Sequence, residues 1–129
     1  MQNFAARVLT DTKTFDHISP VLRELSWLSI KDLLLVRDTT QVYKIVNSLI
    51  PLYLSSKLST QSDVHNYNTR KRDNLNLPLC RTATAQRSFY YRALSAWNSL
   101  TADTRNSLSL CTLKRSVKHE LREQTLYVK

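Results

Sequence analysis

The side chains in this sequence best suited to chemistry are cations, and they fall into three groups. Asn68 to Arg72 reads NTRKR, so Arg70, Lys71 and Arg72 are consecutive, with Tyr67 just ahead of them. Arg87, Tyr91 and Arg92 bracket an aromatic ring with guanidiniums, and Lys114, Arg115, Lys118 and Arg122 recur at a spacing that gathers them on about 100° of one helix surface. Consecutive cations on a loop neutralise phosphates without a preset geometry. Tyrosines among them, Tyr67 and Tyr91, offer flat rings on which unpaired bases stack. Each group also has a plainer account. The loop can be a solvated turn, and an amphipathic helix always has a charged side, with cations near its C-terminal end favoured by the backbone dipole. A nuclear-import signal needs a longer basic run than this one.

Residues that make and break covalent bonds do not assemble in the same way. His17 follows Asp16 directly, and adjacent residues do not ordinarily orient each other as base and carboxylate, nor does a nucleophile accompany them. His65 and His119 stand alone, which makes no metal site. Asp32 and Asp38 lie on one helix but point about 120° apart. Cys80 and Cys111, the only cysteines, have neither Cys-x-x-Cys spacing nor a nearby His, and both read as reduced thiols. Glycine is absent, so phosphate-cradling glycine loops are excluded, and turns with positive φ lose the residue that adopts them at little cost. No catalytic residue, metal or cofactor is expected.

The elements that must position the cations read as helices. Phe4, Ala5, Val8 and Leu9 mark a short helix over Gln2 to Thr10. Ser19 as N-cap with Pro20 at the first helical position announces a second, to about Leu28. Ser29 and Asp32 approximate a capping box for the longest helix, Ile30 to about Leu49, with Leu35, Val42, Val46 and Leu49 inward and Arg37, Gln41, Lys44 and Ser48 outward. Asn47 is the expected left-handed residue of the turn before Pro51, which starts another short helix through Leu58. From Ser59 to Thr82 periodicity disappears, giving a basic loop or partly mobile linker in which Leu75, Leu77 and Leu79 mark a short extended segment. Gln86 to Leu100 is strongly amphipathic, Thr101 to Asn106 a brief turn, and a last helix from Leu110 to Glu123 buries Leu110, Leu113, Val117 and Leu121. Trp27, Trp97, Phe89 and Tyr90 are assigned to the core. The expected fold is a single all-α domain of 129 residues, a compact bundle of about five to six helices: N-terminal helices in 1–58, the basic loop in 59–82 and basic helices in 83–129.

The net charge of +9 is uneven, +2 over residues 1–60 and +7 over 61–129. Such a surface attracts nucleic acid, anionic membrane and acidic protein by the same physics. No apolar run approaches the ~20 residues of a membrane span and no signal-peptide core is visible, so a soluble intracellular protein is expected.

Four blocks, in order, carry a family resemblance: Gln2 to Leu9 (QNFAARVL), Phe15 to Ile30 (FDHISPVLRELSWLSI), Asn47 to Leu54 (NSLIPLYL) and Arg87 to Leu100 (RSFYYRALSAWNSL). Together they resemble the C-terminal region of LINE-like, non-LTR retrotransposon reverse transcriptases, downstream of the polymerase palm. The likeness spans Gln2 to about Glu120 and is weakest from Ser59 to Leu75; NSLIPLYL is similar to the family's Asn-Gly-Leu-Ala-Pro-x-Tyr-Leu. The chain departs from the family at Asp11, where Gly is usual, at Ser29, where Pro is common, and at Ser48, which replaces Gly. The family's palm holds metal ions on a Tyr-x-Asp-Asp signature, and no Asp-Asp pair occurs here. The resemblance therefore implies a non-catalytic fragment of an RNA-directed DNA polymerase, in contact with RNA or DNA and with the parent thumb or palm, without membrane or small-molecule substrate, in the nucleus or a cytoplasmic ribonucleoprotein. On this reading Arg70, Lys71, Arg72, Arg87, Arg92, Lys114, Arg115 and Lys118 contact phosphates in a largely sequence-independent way, and Tyr67 and Tyr91 stack on bases. The alternative is a structural module that packs on the parent polymerase or another partner without touching nucleic acid.

Overall fold

The computed structural model describes residues 1–127. They form nine helices: α1 (Gln2–Thr10), α2 (Ile18–Glu24), α3 (Ile30–Val46), α4 (Leu52–Ser55), α5 (Gln61–Val64), α6 (Ala83–Gln86), α7 (Phe89–Ser99), α8 (Ala102–Arg105) and α9 (Leu110–Tyr127). The fold is all-α; among the described residues the extended geometry expected near Leu75 amounts to one antiparallel bridge, Thr60 to Leu75.

Three helices make the core. α3 packs against both α7 and α9, and Val36, Val42 and Tyr43 meet Ala93, Leu94, Trp97, Leu113, Val117 and Leu121. This double contact explains why the inward side of α3 differs from the expected stripe. Val46 and Leu49 are exposed, while Thr39, Thr40 and Ile45 are buried. The threonines enter because their hydroxyls bond back to the preceding turn, Thr39 to the Leu35 carbonyl at 2.9 Å and Thr40 to that of Val36 at 2.6 Å, leaving only methyl groups to pack.

Capping sets where several helices start. Ser29 caps α3, accepting from the Asp32 N–H at 3.3 Å while its hydroxyl donates to the Asp32 carboxylate at 2.7 Å. Thr101 caps α8, and Ser109 accepts from the Thr112 N–H at 3.2 Å at the start of α9. The second helix starts a residue or two before its expected position: His17 is its N-cap, and Ser19 and Pro20 lie inside the first turn.

The helix stops depart furthest from expectation. α1, α2 and α3 each end on a left-handed residue that is not glycine: Asp11 (φ 52°), Ser26 (φ 55°) and Ser48 (φ 54°). Asn47, the expected left-handed residue, has φ −89°. In α2 the Trp27 N–H reaches the Leu22 carbonyl at 2.8 Å and Ser26 that of Arg23 at 2.9 Å; in α3 Leu49 reaches Lys44 at 2.8 Å and Ser48 reaches Ile45 at 3.1 Å. This double closure satisfies carbonyls that the helix end would otherwise leave open. An L-residue in this conformation costs roughly 1–2 kcal/mol, less for Asp. Ser26→Gly and Ser48→Gly are therefore expected to raise stability by about 0.5–1 kcal/mol each in urea unfolding, and Asp11→Gly by less; a loss of stability from the two serine replacements would contradict the strain.

α1 and α2 form a separate hairpin, held by Arg7, which donates to the carbonyls of Lys13 at 2.8 Å and Asp16 at 3.0 Å, and joined to the core by Gln2 on the Leu28 carbonyl at 2.7 Å. Only Ala6 of α1 is buried; Phe4, Val8, Leu9 and Phe15 face outward. The expected compact bundle is thus a three-helix core with a hairpin laid on it and short helices in the connections.

Candidate nucleic-acid interface

The basic loop is built, not loose. Gln61 N–H bonds the Asn74 carbonyl at 2.9 Å and Asn76 N–H that of Ser59 at 2.8 Å, closing the neck of the loop. At α5, Asp63 accepts from the Thr60 N–H at 2.8 Å and the Thr60 hydroxyl at 2.7 Å, hydrogen bonds that hold its carboxyl below the ordinary value. Inside the loop Arg72 N–H reaches Thr69 and Asn74 N–H reaches Lys71, at 3.1 and 3.0 Å. The expected loop or partly mobile linker is a hydrogen-bonded turn at this point, and it leaves Arg70, Lys71 and Arg72 exposed. Tyr67, 80% exposed, lines a small cleft with Arg72, His65 and Asn68.

Two side chains fasten this loop to the helices that follow it. Asn98 of α7 donates to the Leu75 carbonyl at 2.8 Å and accepts from the Leu75 N–H at 2.9 Å, taking the place of a neighbouring strand beside a buried residue. Arg105 adds a bond to Asn74 at 2.8 Å. Asn98→Ala leaves both buried backbone groups of Leu75 unpaired, and about 2–3 kcal/mol of destabilisation is expected in chemical denaturation, with faster amide exchange at Leu75. A change under about 0.5 kcal/mol would show that the clamp carries nothing.

On α9 the opposition of faces matches the sequence reading. Leu113, Val117 and Leu121 are buried, while Lys114, Arg115, Lys118 and Arg122 are exposed on the other side. Arg122 donates to the Ser26 carbonyl at 3.2 Å, and Lys118 and Arg122 together line a cleft with Gln2, Trp27 and Leu33.

Arg92 differs from the other cations in having an acidic partner. Its Nε donates to Asp38 Oδ2 at 2.5 Å and its Nη2 to Oδ1 at 3.2 Å, and the carboxylate is buried with a side-chain exposure of 5%. Bonding to Asp38 raises the Arg92 pKa above its ordinary value. The guanidinium is thus the counter-ion of a buried acid, with its Nε and Nη2 already engaged. Two guanidiniums no longer bracket Tyr91, which is half-buried in a cleft between α3 and α7 lined also by Lys31 and Arg92. Arg87 is exposed at the end of α6.

Among the described residues the ion pairs are Arg92 with Asp38 and His119 with Glu123. Seven of the eight expected phosphate ligands, Arg70, Lys71, Arg72, Arg87, Lys114, Arg115 and Lys118, consequently face solvent without an acidic partner among those residues. They do not converge on one groove: each cleft named above takes expected site residues from a single group.

Two aromatic assignments also change. Trp97 is buried, but Trp27 is 39% exposed because α2 stops at Glu24, four residues short of Leu28, and Ser26 turns the chain outward. Phe89 lies at the surface, edge-on to a half-buried Tyr90 at 5.6 Å, with the Lys57 ammonium 5.8 Å from the Tyr90 ring. Sequence periodicity named Arg122 with the α9 cations but missed the Asn98 clamp and the exposure of Trp27. A glycine at position 26 would have signalled the stop that exposes Trp27.

Among the described residues no three His, Cys, Asp or Glu side chains are grouped to hold a metal ion, and no helix is long and apolar enough to cross a membrane. Compared with protein-family models, curated proteins and solved structures, the chain has no match in any of the three.

Proposed function

We propose that this chain is a non-catalytic module of a LINE-like retrotransposon reverse transcriptase, from the C-terminal side of the palm, and that it holds single-stranded RNA or DNA through phosphate contacts with little regard to sequence. The observation that carries the binding role is the set of seven exposed cations with no acidic partner among the described residues. Family membership draws support from backbone geometry. The family pattern has Gly where this chain has Asp11 and Ser48, and both take left-handed φ, at 52° and 54°. A fold that needs positive φ at those two points accounts for glycine in the pattern and for the strain of its replacements. Fluorescence anisotropy with labelled single-stranded RNA tests the binding role: scrambled strands of equal length should bind alike, and absence of binding in low salt rejects it.

One observation favours a structural module instead. Phe4 (71% exposed), Val8 and Leu9 (64% each) and Phe15 put apolar surface on one hairpin, and exposed apolar patches mark contacts with other proteins. This alternative predicts concentration-dependent self-association in size-exclusion chromatography together with no affinity for RNA.

A further inference from the structure

We infer that the cleft beside Trp27 is a stacking pocket for one unpaired nucleobase of the strand whose phosphates lie on α9, an inference that rests on the proposed binding role. Trp27 is 39% exposed, yet its backbone is fixed, since its N–H closes the α2 stop on the Leu22 carbonyl at 2.8 Å. The residue lines both clefts at its position, and base stacking on an indole is tolerant of sequence.

Charge distinguishes the clefts that meet at Trp27. Trp27 and Arg122 line two adjacent clefts, of about 250 Å³ and about 290 Å³. The second adds Lys118, a cationic wall suited to a phosphate and continuous with the outer face of α9. The first adds Arg23 and Asp32. The Asp32 carboxylate accepts from Ser29 Oγ at 2.7 Å and would repel a phosphate placed beside it, but it is a fitting acceptor for an exocyclic amine. The Lys118 cleft, with two cations and no acid, suits the phosphate better than the first, where Asp32 offsets Arg23, and the base is placed in the first. Arg122 spans both and is steadied by its 3.2 Å bond to the Ser26 carbonyl. Adenine, cytosine and guanine carry such an amine and uracil does not, so Asp32 adds a modest preference for cytosine over uracil, bases that stack alike.

The experiment uses the full 129-residue chain and its two tryptophans, Trp27 in the cleft and Trp97 buried. Oligoadenylate should quench the indole emission of wild type and of Trp97→Phe. Trp27→Ala should weaken oligoadenylate about tenfold without altering the salt slope or the affinity for an abasic strand of equal charge, and Trp27→Phe should recover most of the loss. Asp32→Ala, which removes the acceptor and leaves the Ser29 cap on the residue-32 N–H, should abolish the preference for oligocytidylate over oligouridylate, two pyrimidines of similar stacking, and it serves as the deciding variant should Trp27→Ala fail to fold. Unchanged affinity in Trp27→Ala and an unchanged cytosine-over-uracil preference in Asp32→Ala, with the salt slope intact, would overturn the pocket while leaving the wider binding role standing. Absence of strand binding at any salt overturns both.

Discussion

Arg92→Met is expected to destabilise the fold by about 2–4 kcal/mol while leaving the salt dependence of RNA binding unchanged at temperatures where the variant is folded. The substitution strands the Asp38 carboxylate, whose side chain is 5% exposed, without its counter-ion. The cost falls below that of breaking a wholly buried pair because the Arg92 side chain is 49% exposed and water already screens it. Adding Asp38→Asn removes the stranded charge, so the double variant should recover more than half of the lost stability. Urea unfolding followed by circular dichroism gives the cycle directly. Stability of Arg92→Met within about 0.5 kcal/mol of wild type would show that Asp38 finds other compensation, and a lower salt slope would return Arg92 to the phosphate contacts.

The second large effect concerns function. Replacing Lys114, Arg115 and Lys118 together by Gln is expected to lower the slope of log affinity against log salt by ~2, at about 0.7 per phosphate contact on a single strand, and to weaken binding roughly a hundredfold near 0.1 M salt. Stability should not fall, because these side chains stand on the wet face of α9, opposite Leu113, Val117 and Leu121. Relief of the Lys114 and Lys118 repulsion, one turn apart, acts in the other direction by a few tenths of a kcal/mol. Equal affinity in the triple variant would place the strand elsewhere, with the loop cations Arg70, Lys71 and Arg72 the next to remove.

Much of the helical scaffold was legible from spacing alone. The apolar positions of α1 fix its ends at Gln2 and Thr10, and Leu113, Val117 and Leu121 identify the inner side of α9. The same patterns failed where partners decide burial. The apolar face of α1 is real as a sequence pattern, but among the described residues Phe4, Val8 and Leu9 stay largely exposed. In α3 a helix flanked by two others buries more than a stripe, and Thr39 and Thr40 pass for outward residues until their hydroxyls are seen turned back on the helix. Helix stops were hidden for a different reason. With no glycine in the chain, Asp11, Ser26 and Ser48 give no compositional sign that they hold left-handed turns.

Charge was easier to count than to place. The sequence names the cations, and for Arg70, Lys71, Arg72, Lys114, Arg115 and Lys118 exposure agrees with the expectation. Arg92 differs because its partner, Asp38, is 54 residues away, a distance no helical periodicity spans. Asn98 likewise gives no sign that it clamps the loop, since a polar side chain bonding a distant backbone leaves no mark in local spacing.

The most direct test of the account is a salt series of anisotropy titrations with labelled single-stranded RNA and the intact chain. Contacts from α9 and the basic loop acting together predict log affinity falling with log salt at a slope of ~3 to 5. A flat response, or no affinity even at low salt, would contradict the assignment of these cations to a phosphate backbone.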